Sequence, residues 1–483
     1  LLIDDLDFPT APSRGVAGVV EAIANSPDGG VYLGGDFTGA HGVPRNRVAR
    51  LRPDGEVDAT FDPGRGPNGD VTALLVAGDG KLLIGGDFSE VNGVPCALVA
   101  RLEANGALDH TFDPGAGPTR TNGAPFVRTL AAETNGSVLV GGAFTHFNGL
   151  PRRLVARLNP DGSVDPGFTS PFLEYSSFPV PRGPDSSVIH SLLILPDGSR
   201  LAAGWMYYSA GVGPVSVVRL TSTGQIDPLF RRITWNSSDQ VAWSTAVASN
   251  GTILVGGRGA KSFGTTINTN WIAIRRFTSN GLADTGFTVA NTPQIDFFAS
   301  EIRQLLVQPD GAIVFAAVIF SGRDGTEIHR AILSRLQAGG AWDANFGLVD
   351  IGLPLINVAG SFWWRLNQPY VDEPPVPTAF ATRQPDGVVV LAGAFDSVNG
   401  EPRRRLARLE SGGDLRGVLR LDIGRGVTPA LTGPGEVEIP YVVESSPDLQ
   451  SWTPWRTNAL PWQGWSEAIS VGGDRRFFRA VGP

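Results

Sequence analysis

The chain has 483 residues, 42% of them hydrophobic, with 62 glycines, 37 prolines and a single cysteine, Cys96. That composition supplies a large core, and it excludes both a disulfide framework and a thiolate metal cluster. A formal charge of −8 argues against nucleic acid as a partner, and no apolar run reaches the ~18 residues needed to span a bilayer.

The N-terminal stretch LLIDDLDFPTAPSRG lacks a basic n-region and a long apolar core, so it does not read as a signal peptide. Secretion would then imply a leader already removed or lying outside this sequence. From about residue 16 a single unit recurs. Its second copy reads VTALLVA, a turn at Asp79-Gly80, KLLIGG, a loop at Asn92-Gly93, ALVARLE, a turn at Asn105-Gly106, then ALDHTF. Short runs rich in Val, Ile and Leu and bounded by Asp-Gly or Asn-Gly predict strands joined as hairpins. No segment of useful length carries a helical stripe.

A small pair after the second strand anchors each unit: Gly34-Gly35, Gly85-Gly86, Gly141-Gly142, Ala203-Gly204, Gly256-Gly257, Ala316-Ala317 and Ala392-Gly393. Gly and Ala occupy little room, so neighbouring backbones are expected to approach closely there. An Arg follows each anchor, at Arg50, Arg101, Arg157, Arg219, Arg276, Arg335 and Arg408. Eight residues beyond the first six of these comes the Asp of a D-x-x-F run: Asp58, Asp109, Asp165, Asp227, Asp284 and Asp343. A three-residue turn at Pro53-Asp54-Gly55 places Arg50 opposite Asp58 and Leu51 opposite Val57 on the other face. The six Arg–Asp pairs are therefore expected to tie the third strand of each unit to a fourth. Phe61 and Phe112 are expected to wedge between units.

Seven units of short antiparallel strands predict an all-β fold, a seven-bladed β-propeller followed by a small C-terminal β domain. The last unit carries Arg416 where its D-x-x-F should begin, whereas Asp5 to Phe8 supplies that pattern with no anchor before it. Residues 3–8 are thus expected to close the ring as an outer strand of the seventh blade, with a local strand at 415–419 as the competing solution. The propeller is assigned to 1–419 and the C-terminal domain to 420–483.

The recurring wording D-G-K-[IL]-L-[IV]-G-G-x-F … N-G … [VI]-A-R-L-x-x-D-G-x-x-D-x-x-F resembles the delta-sixty repeat, a bacterial β-propeller family of uncharacterised role. The fit is best at 22–61, 73–112 and 130–168, weaker in units four to six, and good again in the seventh through Arg408. The resemblance implies a secreted or cell-surface propeller with no catalytic residues to carry over. The tail, EIPYVVESSPDLQSWTPW closing on RRFFRAVGP, resembles a small β domain of secreted verrucomicrobial and planctomycetal proteins. Trp452 and Phe478 are its expected core, and about 60 residues is marginal for one standing alone.

No chemistry is legible in the repeat itself. GGDF at 34–37 and 85–88 decays to GGAF and GGRG elsewhere, so it marks a strand end rather than a cyclase signature. The five histidines, His41, His110, His146, His190 and His329, form no ligand spacing and read as loose surface residues or local caps. No metal or cofactor is expected; Asp54, Asp79 and Asp161 each offer one or two ligands, enough only for weak calcium binding. Side-by-side aromatics in the irregular insertions are the candidate ligand-binding residues: Trp363, Trp364, Arg365 and Tyr370, and Trp205, Tyr207 and Tyr208. Flat rings suit sugars or a protein hot spot. The chain therefore reads as a monomeric scaffold or binding protein, not an enzyme, for glycan or extracellular protein. The alternative is a polysaccharide hydrolase or lyase with its site near the central channel.

Overall fold

The computed structural model describes residues 2–3, 15–121, 123–173, 187–208, 215–234, 241–260, 273–289, 299–321, 327–343, 346–352, 379–383, 389–393, 395, 397–398, 401–402 and 405–410, and the tail strands at 420–422, 430–433, 441–446, 453–458, 465–468 and 477–481. Contacts divide the chain into two compact units, Ile3–Glu410 and Ser411–Pro483 with Leu1–Leu2.

The larger unit is all-β and built of repeated antiparallel sheets. In the first, Val16–Asn25 pairs with Val31–Ala40, which pairs in turn with Val48–Leu51. The same order of inner, middle and outer strand recurs from Val71–Val76, Phe126–Ala132, Val188–Ile194, Ala242–Val247, Ala299–Val307 and Ala379–Arg383. Each inner strand packs on the inner strand of the next sheet, and Ala379–Arg383 packs on Val16–Asn25. The middle strands Leu82–Gly86, Val138–Ala143 and Arg200–Met206 are buried along their whole length. This is why they read as continuous apolar runs rather than alternating ones. The fifth and sixth sheets are fused, because the end of Ile253–Ala260 pairs with the start of Ala299–Val307.

Cores lie between sheets. Phe61 is fully buried among Leu82, Ile84 and Phe88 of the second sheet, and Phe112 packs with Val127, Val140 and Phe147 of the third. A buried Phe contributes about 2–3 kcal/mol through its apolar area, so the D-x-x-F of each of these units holds its sheet to the next.

The expected fourth strand is reduced to a single bridge. Leu51 pairs with Val57, Leu102 with Leu108 and Leu158 with Val164, and the chain then turns. The Asp itself causes the turn. Asp58 Oδ1 accepts from the Thr60 backbone N–H at 2.9 Å and from its hydroxyl at 2.6 Å, and Asp109 does the same with Thr111 at the same distances. An Asx turn of this kind replaces the next ladder bond.

In the last sheet the two-residue strand Leu2–Ile3 lies at the edge beside Leu406–Glu410. The rest of the N-terminal segment assigned to ring closure lies outside the described residues, as does the competing strand at 415–419. The smaller unit contains two three-stranded sheets. One joins Arg420–Asp422, Ala430–Gly433 and Trp465–Ala468; the other joins Tyr441–Ser446 with Thr453–Asn458 and Phe477–Val481. Among the described residues no helix is long and apolar enough to cross a membrane.

Candidate functional site

Six inner strands carry a β-bulge at the same place. In the first sheet Val20 faces Gly35 and Ala22 faces Gly34, which leaves Glu21 as an extra residue. The register breaks identically around Thr72, Arg128, His190, Trp243 and Arg303. The seventh inner strand keeps its register through Ala379 and Phe380 and has no bulge.

The small anchor pair is what permits this. A Cβ on Gly34 would lie 2.8 Å from a Val71 methyl of the next sheet, and one on Gly35 would lie 2.1 Å from the Val19 carbonyl oxygen. The third sheet repeats the arrangement. There a Cβ on Gly141 would sit 2.7 Å from Leu192, and one on Gly142 would sit 2.1 Å from the Phe126 oxygen. The first small residue admits the neighbouring sheet, and the second admits the bulged backbone. A bulge re-aims a side chain.

The re-aimed side chains meet one another. The His190 ring lies 4.2 Å from Trp243, and the Arg303 guanidinium lies 4.0 Å from the centroid of the Trp243 ring. Burial first, then the charges of Arg128 and Arg303, hold His190 well below the usual histidine range. Those arginines belong to the third and sixth sheets and His190 to the fourth, so Arg303 and His190 sit on sheets that are not successive. Glu21 of the first sheet likewise senses Arg128 of the third. Side chains of non-successive sheets come together only where inner strands face a shared interior. Thr72 donates its hydroxyl proton to the Val127 carbonyl within the same cluster.

The cluster has two electrostatic sides. On the first and second sheets burial lifts the Glu21 carboxyl to about 7; Arg128 pulls it down, and Asp70, Asp87 and Asp36 push it up. Asp70 is raised by the same means, by burial and then by Asp87 and Asp36, with Arg47 opposing. Arg47 reaches Asp36 at 3.3 Å and Asp70 at 3.7 Å, while the Asp70 backbone N–H donates to Asp87 Oδ1 at 2.6 Å. The opposite side holds Arg128, His190 and Arg303, the last paired with Glu301 at 2.5 Å. Such a site pairs a carboxylic acid protonated near neutrality with flanking carboxylates and cations.

Of the residues singled out from sequence, Trp205 is buried at the end of Arg200–Met206, edge-on to Tyr207 at 6.2 Å, and clusters with Val241 and Trp243. It thereby adjoins the bulges. Tyr208 lies 4.8 Å beneath the Arg232 guanidinium. Trp363, Trp364, Arg365 and Tyr370 lie outside the described residues. The Arg–Asp pairs sit two strands away from the bulges. Arg50 meets Asp58, and Arg101, Arg157, Arg219, Arg276 and Arg335 donate to Asp109, Asp165, Asp227, Asp284 and Asp343 at 2.6–2.8 Å. Several arginines also strap successive units together. Arg101 donates to the Pro160 carbonyl and Arg157 to that of Ser222, each at 2.7 Å in the turn of the next unit.

One reading changes. His190 is no loose surface residue or cap: its Nε2 is enclosed within the bulge cluster. The turn carboxylates Asp54, Asp79 and Asp161 each accept the backbone N–H two residues on, at 2.9–3.1 Å, so they are engaged by their own turns. Among the described residues no three His, Cys, Asp or Glu stand close enough to hold a metal. The bulge residues themselves escaped sequence reasoning, yet each lies 13 positions before its anchor, from Glu21 before Gly34 to Arg303 before Ala316. At that phase the units stop repeating one another and become polar or aromatic.

Residues 26–61, 77–112, 133–168, 195–230 and 384–415 match a family model described as "Domain of unknown function (DUF5122) beta-propeller". The fourth unit, weak by eye, is thus a full member of the series. No curated protein matches the chain. Among solved structures, it resembles a protein of unknown function from Bacteroides thetaiotaomicron at 15% identity, covering 65% of this chain and 70% of that one, with a TM-score of 0.33. It also resembles a structure described as a glycoside hydrolase at 11% identity, covering 98% and 96% respectively, with a TM-score of 0.28. A third is an endo-1,5-alpha-L-arabinanase from Thermotoga petrophila, at 14% identity, 87% and 96% coverage and a TM-score of 0.26. The exclusion of enzymatic activity is corrected accordingly: with two structures described as enzymes in this set, it does not stand. At these TM-scores the likeness carries neither a reaction nor a residue across.

Proposed function

We propose that this chain, which contains a DUF5122 (delta-60 repeat) β-propeller domain, is a polysaccharide hydrolase or lyase whose site is the cluster of bulged residues. The supporting observation is Glu21, whose carboxyl is lifted to about 7 in a half-buried position. A general acid works best when its pKa lies near the working pH, and glycosidic cleavage needs one acid and one further carboxylate. Glu21 is the proton donor to the leaving glycosidic oxygen. Asp70 is the companion carboxylate, aligned by Arg47 at 3.7 Å. Tyr207, half-buried beside Trp205, offers its ring to a sugar face.

The architecture belongs to the same proposal: seven blades around one axis, closed by the N-terminal segment, then a separate C-terminal β domain, in a secreted or surface protein. The cycle of inner-strand contacts supports the blade count, and the edge position of Leu2–Ile3 supports the closure. The scaffold reading, glycan binding as an end in itself, rests on the Trp205, Tyr207 and Trp243 cluster. Turnover of a polysaccharide panel, followed by new reducing ends and by the ultraviolet absorbance of unsaturated products, separates the two. Wild-type turnover that Glu21→Gln abolishes while leaving affinity intact supports cleavage; binding without turnover in either protein contradicts it.

A further inference from the structure

Arg128, His190 and Arg303 come from the third, fourth and sixth sheets and converge, and of the two arginines it is Arg303 that has a carboxylate in contact, Glu301 at 2.5 Å. Arg128 rests on the Phe126 ring at 5.3 Å and has no ion pair within salt-bridge distance among the described residues. Its Nε and the His190 Nε2 are both enclosed and without a hydrogen-bond partner. Arg303 shares Glu301, but Arg128 is left to Glu21, and burial keeps that carboxyl largely neutral in mildly acid solution. Two guanidinium groups bearing on one imidazole keep it from taking up a proton unless a negative group enters among them. Enclosed donors without acceptors are likewise costly, and such gaps in a polar cluster mark a place for a ligand.

We propose that this triad binds the carboxylate of a uronic-acid sugar, so that the ligand is an acidic polysaccharide. Arg128 and Arg303 supply charge-assisted N–H donors, and His190 takes up a proton as the carboxylate arrives and donates it as a third hydrogen bond. The charged groups facing His190 are Arg128 and Arg303; Glu21 acts on Arg128 and Glu301 pairs with Arg303, and Trp243 covers the ring. A carboxylate among them reverses the field that keeps the imidazole neutral.

The inference rests on the proposed site for its location but not on catalysis, so it is tested in the Glu21→Gln protein by titration calorimetry. Oligogalacturonate is compared with a neutral galacto-oligosaccharide of equal length and with inorganic sulfate. Oligogalacturonate is expected to bind at least roughly tenfold tighter than the neutral sugar, with Arg128→Gln and Arg303→Gln each losing roughly that factor. The binding enthalpy should vary with buffer ionisation enthalpy, showing proton uptake, and His190→Gln should remove that variation while melting at the wild-type temperature. Equal affinity for acidic and neutral sugars overturns the proposal, as does binding with no proton uptake. Sulfate binding as tightly as oligogalacturonate would show an oxyanion hole with no preference for uronate and would also overturn it. Should turnover fail while these results hold, only the catalytic reading falls.

Discussion

Gly142 faces Phe126 so closely that a Cβ at residue 142 would lie 2.1 Å from the Phe126 carbonyl oxygen. The glycine and the bulge at Arg128 are therefore one device. Gly142→Ala must push the inner strand away or flatten the bulge. Overpacking of this kind costs about 1–3 kcal/mol. Urea denaturation should show that loss, and Ala at Gly149, where a Cβ meets nothing, should show only its left-handed backbone penalty.

Asp109 accepts from both Arg101 and Lys81, at 2.6 and 2.8 Å, with its own side chain almost fully enclosed. Asp109→Ala removes the carboxylate that Arg101 and Lys81 share, leaving Lys81 with Glu103. Losing hydrogen bonds to a charged group of this kind costs about 1.5–3 kcal/mol, and the midpoint of chemical denaturation should fall accordingly. Removing Arg52, whose pair with Asp54 is exposed on both sides, should change stability by less than about 1 kcal/mol.

Acid should unfold the protein through the same carboxylates. Asp58, Asp109, Asp165 and Asp284 are all held below the ordinary value of 3.8: burial opposes this, most strongly in the first three, and is outweighed by Asx-turn hydrogen bonds and the paired arginine, by Lys81 first at Asp109 and by Arg276 first at Asp284. Because the unfolded chain takes up these protons first, the stabilisation is complete above about pH 5 and is lost as pH falls below about 4. Thermal melts across that range should drop steeply, and a flat profile down to pH 2 would count against the pairs.

Glu21 has the opposite sign. Its folded value of about 7 exceeds the ordinary 4.5, so the folded state holds the extra proton and stability declines as pH rises from about 4.5 to 7. Glu21→Gln should remove that slope and leave the variant about 1–3 kcal/mol more stable than wild type at pH 8. Paired denaturation curves at pH 5 and pH 8 measure it.

The parts of the fold written as local spacing were legible in the sequence. The turn at Pro53-Asp54-Gly55, the pairing of Leu51 with Val57 and the small anchors each depend on a few neighbouring residues. The bulges were not, because an extra residue shows only against its partner strand: Thr72 looks like any polar strand residue until Val71 is seen opposite Gly86 and Ala73 opposite Gly85. The truncated fourth strand was hidden for a related reason. The Asp that meets Arg50 also captures the Thr60 amide, and the second bond ends the ladder. Trp205 drew notice as one of several aromatics close together in the chain; its burial beside Trp243 is revealed only by the convergence of two sheets.

The titration of the Glu21 carboxyl tests most directly whether the bulges converge. Protein carrying carbon-13 at glutamate carboxyls, with the Glu21 resonance identified by its loss in Glu21→Gln, gives that curve site by site. The account predicts a midpoint near 7 in wild type, moving higher in Arg128→Gln as the opposing cation is lost. A midpoint near 4.5, unmoved by Arg128→Gln, would contradict it.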